Sequence, residues 1–380
     1  MILDYDTLKL IWWLFVGVLL VGFALTDGFD LGVGMLLPFL GQSDGERRVI
    51  INSVGPTWEG NQVWLITAGG AIFAAWPTVY AAAFSGFYVA LLLVLFALFF
   101  RPVGFDYRSK LADPRWRSGW DWALFVGGFV PALVFGIAFG NLLQGVPFHY
   151  DDTLRSTYTG GFIDLLNPFG LLCGVVSVAM LLMHGAIYLQ LRTEGVIYQR
   201  AKRAARGAAI ALLATFAVAG VWVSVGIDGF RIIAMPAADA TPNILVKTVE
   251  LAPGAWLDNY GHYPWMVIAP LLGFGGAVVA MRLSAADQPG RAFIGSGFSV
   301  AGVILTAGFS MFPFILPSVT DLRSSLTVWD ATSSHLTLAW MFAVTLFFLP
   351  LIVLYTSWVY RVMGGKVTEK QIKENSHTMY

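Results

Sequence analysis

LKLIWWLFVGVLLVGFALTDGFDLGVGMLL, residues 8–37, reads as a helix made for lipid with two carboxylates set into it. Its charged residues are Lys9, Asp27 and Asp30, and a run of about 20 apolar residues is enough to cross a bilayer. A second stretch, Trp58-Glu59-Gly60-Asn61-Gln62, places a third carboxylate in another apolar run. Each carboxylate at membrane depth costs about 2.5–3.5 kcal/mol on insertion scales. Chains keep such groups where they face a protein interior or a water-filled path and handle protons, ions or substrate.

The rest of the chain has the same character. It is 57% hydrophobic and 12% charged, about half the charged fraction of soluble domains. Apolar runs fall at roughly 8–37, 49–75, 78–101, 119–144, 164–191, 207–227, 262–283, 292–316 and 336–361. Backbone polar groups in lipid must be satisfied within their own segment, so these runs read as helices. The first run has no small-residue cleavage site and is too long for a signal core, so it reads as retained. The expectation is an all-α polytopic membrane protein with nine transmembrane helices. The longer connections at 145–163 and 228–261 carry Pro, Gly and mixed polar residues, and are expected to form short surface elements or to cover a partner.

Basic residues orient that arrangement. Of the 23 Lys and Arg residues, those from Arg47 and Arg48 through the clusters at 101–117, 192–206 and 282–291 to Arg361, Lys366, Lys370 and Lys373 fall on one side. Only Lys9, Arg155, Arg231, Lys247 and Arg323 fall on the other. The positive-inside rule then puts the N-terminus outside and the C-terminus in the cytoplasm. A net charge of zero argues against attraction to nucleic acid. The lone Cys173 gives no disulfide framework and no multi-cysteine metal site, and reads as a small buried apolar residue.

Asp27 and Asp30, three apart, share one helix face, and Gly28 and Gly32 have the spacing that lets helices approach closely. Glu59 lies about ten residues into the second run, roughly 15 Å deep at 1.5 Å per residue, a depth that Asp27 can match. Pro56 frees the carbonyl of Asn52 and is expected to kink that helix. Asn61 and Gln62 extend the polar groups by a further turn, so facing helices would present a ladder from the cytoplasm to mid-membrane. Three tasks suit such a ladder. One is a proton path, favoured over a metal site because no His lies among the carboxylates. Another is a Na⁺ site, since hard cations take oxygen ligands. The third is a structural role in which the carboxylates pair with buried donors and fix helix register.

Other residues are weighed in the same way. His184, in Met183-His184-Gly185, reads as a hydrogen-bonded structural residue rather than a haem ligand, because no axial partner is evident at its depth. His149, His262, His335 and His377 fall in loops, at helix ends or in the tail. Arg101 is expected to snorkel outward, with Pro102 stopping its helix and Gly104 permitting the turn. Trp64, beside the polar ladder, is either core packing or the wall of a gas or water passage. Asn141 and Gln144 read as capping the end of their helix.

Trp12-Trp13, the Thr26–Asp30 and Trp58–Trp64 stretches, the Arg101–Lys110 segment, Gly140–Phe148, Trp329-Asp330-Ala331-Thr332-Ser333-Ser334 and the tail Asn375–Tyr380 together closely resemble subunit II of bacterial cytochrome bd quinol oxidase. The resemblance runs the length of the chain. It implies a heterodimer in the bacterial cytoplasmic membrane with a homologous subunit I, which carries the haem ligands, for haem b and haem d, and the quinol site. Such an assembly oxidises quinol, reduces O₂ to water and takes protons from the cytoplasm. The resemblance further implies a first four-helix bundle over 1–145, a second over 164–317 and a peripheral ninth helix over 336–362. Small single-helix accessory subunits and a structural quinone are implied as well.

By position, Asp30 and Glu59 match carboxylates of the family's proton route, Asp27 is their neighbour, and Trp64 matches a tryptophan near an oxygen passage. Some relatives carry Asp where this chain has Glu59, which moves the carboxyl by a methylene. His184 matches no family ligand position. The competing reading from another class is a secondary transporter that couples H⁺ or Na⁺ through these carboxylates. That reading expects paired broken helices, and Pro56 has no counterpart in the second half.

Overall fold

The computed structural model describes residues 3–237, 239–374 and 380; the tail motif at 375–379, with His377, lies outside the described residues. Helix α1 spans Tyr5–Leu40 and is capped by Asp4, whose carboxylate accepts the Thr7 N–H at 2.7 Å. A short helix, α2 (Asp44–Val54), follows a capping box in which Ser43 and Glu46 satisfy each other's backbone N–H groups. Then come α3 (Trp58–Ala75), α4 (Pro77–Gly86), α5 (Tyr88–Tyr107), α6 (Pro114–Gln144), α7 (Pro168–Arg192), α8 (Gly195–Gly226), α9 (Asp258–His262), α10 (Ile268–Ala285), α11 (Pro289–Met311), α12 (His335–Val362) and α13 (Glu369–Glu374).

Among the described residues, eight helices are long and apolar enough to cross a membrane: α1, α5 to α8, and α10 to α12. The expected crossing at 49–75 is the exception. It breaks at Gly55–Thr57, where Pro56 cannot donate a backbone hydrogen bond, into α2 and an 18-residue α3. Glu59, Asn61 and Gln62 near the start of α3 lower its apolar character. The run at 78–101 is likewise two segments, α4 and α5, meeting at Phe87. Pro102 does not stop α5, which continues to Tyr107. Gly104 is therefore a helical residue, packed against Leu124 of α6 rather than placed at a turn.

Helix α1 is the hub, packing against α2, α3, α6, α7, α11 and α12. Its glycines explain the closest of these contacts. A Cβ on Gly32 would lie 3.0 Å from the Gly185 Cα of α7, and one on Gly28 would strike Leu181. Small residues let helix backbones meet at this range. Helices α7, α8, α10 and α11 pack on one another, as do α5 and α6. Helix α12 stands apart, with Leu338 its one buried residue.

The two long connections form short paired strands and bury some of their side chains, Phe148, Phe230 and Trp256 among them. Strands β1 (Phe148–Tyr150) and β2 (Ser156–Tyr158) pair antiparallel, as do β3 (Asp228–Ala234) and β4 (Thr248–Pro253). A third small pair joins β5 (Phe314–Leu316) and β6 (Leu326–Thr327).

Candidate functional site

Asp27 and Asp30 lie on the same buried face of α1, where α5 and α3 reach them directly and α12 and α7 pack around them. The Arg101 guanidinium from α5 grips the Asp27 carboxylate at two points, donating through Nη1 to Oδ2 at 2.8 Å and through Nη2 to Oδ1 at 2.5 Å. Its Nη2 is also 3.9 Å from Asp30 Oδ2. From α3, the Asn61 side-chain amide donates to that same Asp30 oxygen at 2.7 Å. From α12, the Tyr360 hydroxyl donates to Asn61 Oδ1 at 2.5 Å. Tyr188 of α7 stacks on Phe29 at 3.9 Å between ring centres and donates to the Ser53 carbonyl at 3.0 Å. Asp27, Asp30, Asn61 and Arg101 are all buried.

Arg101 does not snorkel. It turns inward, stacked 5.4 Å from the Trp58 ring, because a buried carboxylate is tolerable only when paired. The signal for this was available in the sequence, since two carboxylates on one buried face call for a cation at their depth.

Asn61 joins the Asp pair, but Glu59 and Gln62 do not. Successive helical residues turn by about 100°, so an Asn61 that faces α1 leaves Glu59 about 200° around the helix. Glu59 is accordingly exposed, and Gln62 is partly so. The expected ladder is thus a compact cluster, with Glu59 on the outer face of the same helix.

Beside the cluster is a cavity of about 20 Å³ lined by Asp30, Arg101, Ile50, Val54, Phe105 and Leu124, among others. That is room for about one water molecule. Asp30 Oδ1 is buried and has no hydrogen-bond partner among the described residues, so a water in this cavity is the natural group to satisfy it.

His184 is buried in α7, with Nδ1 2.8 Å from Ser296 Oγ and Nε2 3.0 Å from the Leu25 carbonyl. Both ring nitrogens are committed, so the residue does not fit a haem ligand without losing one of these bonds. Trp64 packs over Gly22 of α1, where a Cβ would lie 2.8 Å from its ring. Asn141 and Gln144 accept and donate hydrogen bonds with Asn167, the N-cap of α7, while also bonding carbonyls of their own helix. They fasten the end of α6 to the start of α7.

A larger cavity, about 490 Å³, lies among α1, α6, α7, α8, α10 and α11. Its lining is almost wholly apolar, including Phe135, Phe169, Met180, Phe216 and Phe274, and it includes Cys173. Trp64 is not part of this lining, although its neighbour Leu65 is.

Known proteins share both the sequence and the architecture. The family model described as cytochrome bd terminal oxidase subunit II matches residues 8–363. The chain is 56% identical over 378 residues to the cytochrome bd-I ubiquinol oxidase subunit 2 of Escherichia coli K12, covering 100% of both chains. It is 34% identical over 364 residues to the cytochrome bd ubiquinol oxidase subunit 2 of Bacillus subtilis, covering 95% of this chain and 97% of the other. A chain in the structure of bd oxidase from Geobacillus thermodenitrificans superposes with a TM-score of 0.68 at 17% identity, over 94% of this chain and 98% of that one, which shows a shared fold. With a full-length match in sequence and a common helical framework, the chain belongs to the cytochrome bd terminal oxidase subunit II family.

Proposed function

We propose that this chain is the haem-poor partner in a membrane complex that oxidises quinol and reduces O₂ to water, and that it supplies a proton route from the cytoplasm to the haem-bearing subunit I. The observation that carries the reading is the buried cluster of Asp27, Asp30, Asn61 and Arg101 with a water-sized cavity at its edge. A carboxylate fixed beside water at membrane depth is the arrangement that proton relays use. Asp27 is tied to Arg101 at both oxygens, so Asp30 is the member free to exchange a proton. Glu59, exposed on α3, is a relay group at the surface toward subunit I, with Gln62 beside it. Trp64 lines the gas passage in this reading.

The packing supports two four-helix bundles, over 1–145 and 164–317, with α12 as a peripheral ninth helix. In that count α2 with α3, and α4 with α5, each form one broken crossing. The 18-to-5 split of basic residues supports a cytoplasmic C-terminus and an outer N-terminus. Haem b and haem d then belong to subunit I, in keeping with the occupied nitrogens of His184. The apolar cavity of about 490 Å³ fits the chain of a structural quinone, whose contribution there is packing, with Tyr260, Ser177 and Ser310 at hand for its polar head. Small single-helix accessory subunits complete the assembly.

A tag on this chain tests the reading. Mild-detergent purification is expected to bring down a second large subunit, haem absorption bands and quinol-dependent O₂ consumption. A haem-free preparation that takes up substrate in exchange for H⁺ or Na⁺ would identify a transporter instead.

A further inference from the structure

We infer that Tyr360 is a positioning residue that sets which oxygen of Asp30 exchanges its proton. The inference rests on the proton-route reading above and deepens it. Helix α12 buries only Leu338 fully, and near its C-terminal end the half-buried Tyr360 turns its hydroxyl to Asn61 Oδ1 at 2.5 Å. A carboxamide has one accepting end and one donating end. With its oxygen taken by the Tyr360 hydroxyl, Asn61 must turn its NH₂ toward α1, where it donates to Asp30 Oδ2 at 2.7 Å.

The consequence falls on Asp30. Its Oδ2 accepts from Asn61 and lies 3.9 Å from the Arg101 guanidinium, both of which disfavour a proton on that oxygen. Oδ1 has no partner among the described residues, and Asp30 lines the water-sized cavity. A proton handed over by a water therefore binds at Oδ1, converting the carboxylate to the neutral acid, and returns to water from the same oxygen. Without the Tyr360 hydroxyl, the Asn61 amide loses its orienting bond and can turn its oxygen to accept from Asp30 once Oδ2 carries a proton. Oδ2 then becomes a second protonation site, away from the cavity water. The other charged or titratable groups facing this pair are Asp27 on α1, Arg101 on α5 and Tyr188 on α7.

The test uses the assembled complex and four variants: Tyr360→Phe, Asn61→Ala, the double variant and Asp30→Asn. Tyr360→Phe keeps the ring that meets Phe29 edge-on at 6.5 Å. Its quinol-driven O₂ reduction is expected to fall about fivefold, equivalent to one hydrogen bond of about 1 kcal/mol. The pH profile of kcat should shift while haem content and the KM for quinol hold. Asn61→Ala should slow the reaction similarly and the double variant no further, because the hydroxyl acts through the amide. A Tyr360→Phe enzyme with the wild-type rate and pH profile, beside a slowed Asp30→Asn enzyme, would overturn the inference and leave the proton route standing. Additive losses, or a loss explained by missing haem, would also overturn it. A wild-type rate in Asp30→Asn would remove the proton route itself.

Discussion

Arg101 and Asp27 form a two-point ion pair, with contacts of 2.5 and 2.8 Å, between side chains that are both shielded from solvent. The pair ties α5 to α1 beside a third buried charge, Asp30. Such a pair contributes little net stability when intact, because desolvation offsets the attraction. Removing one member is another matter.

Arg101→Gln is expected to destabilise the chain by about 3–5 kcal/mol, the usual cost of stranding a buried charge. Thermal unfolding of the purified complex measures it. Asp27→Asn combined with Arg101→Gln should recover much of the loss, because neither charge is then left alone. An Arg101→Gln complex as stable as wild type would mean that Asp27 finds another partner.

His184→Phe should leave the haem absorption spectrum unchanged. It forfeits bonds to Ser296 and the Leu25 carbonyl, a destabilisation of about 1–3 kcal/mol for the buried groups left unsatisfied. Loss of a haem band with the complex otherwise intact would identify His184 as a ligand after all.

Glu59→Gln separates a relay from a structural role at the exposed face of α3. Slower O₂ reduction with full haem retention is the expected result. Normal turnover with full haem would exclude Glu59 from the route, and loss of haem would mark it as a contact that holds the subunits together.

At the other end of the molecule, Lys247 is buried, with Nζ 2.7 Å from Asp330. Burial pulls its amine below the usual lysine value, and the Asp330 carboxylate pulls it partly back. The unfolded chain, with a value of about 10.4, therefore binds more protons than the folded one between the two values. Stability linked to this group is fullest above about 10.4 and declines as pH falls through the lowered value. Lys247→Met combined with Asp330→Leu should flatten that slope, as read from unfolding temperatures on the alkaline side. An unchanged slope would assign it to other groups.

Much of this could be read from the residues alone. The apolar runs marked helical segments, though two of the nine are each split in two, Pro56 marked as a kink the place where the helix breaks before α3, and the 28/32 glycine spacing marked a close helix approach, which the structure places against Gly185. Arg101 was misread because an arginine closing a long apolar run ordinarily reaches for water, and its partner is 74 positions away in sequence. Pro102 misled for a related reason: local rules forbid what a packed helix can absorb. Tyr360 gave no signal at all. Its role depends on where α12 docks, and an apolar helix with Leu338 as its one fully buried residue carries no periodicity that singles out Tyr360. Glu59 was expected to face α1 but lies on the exposed face of α3, because a count of residues gives height along a helix more readily than it gives direction.

The central claim is that Asp30 carries protons. Asp30→Asn keeps the shape and the neighbours of the side chain but cannot titrate. In the assembled complex, proton-coupled O₂ reduction driven by quinol should fall at least tenfold while the haem spectrum and subunit content stay as in wild type. Turnover at the wild-type rate with full haem content would contradict the account.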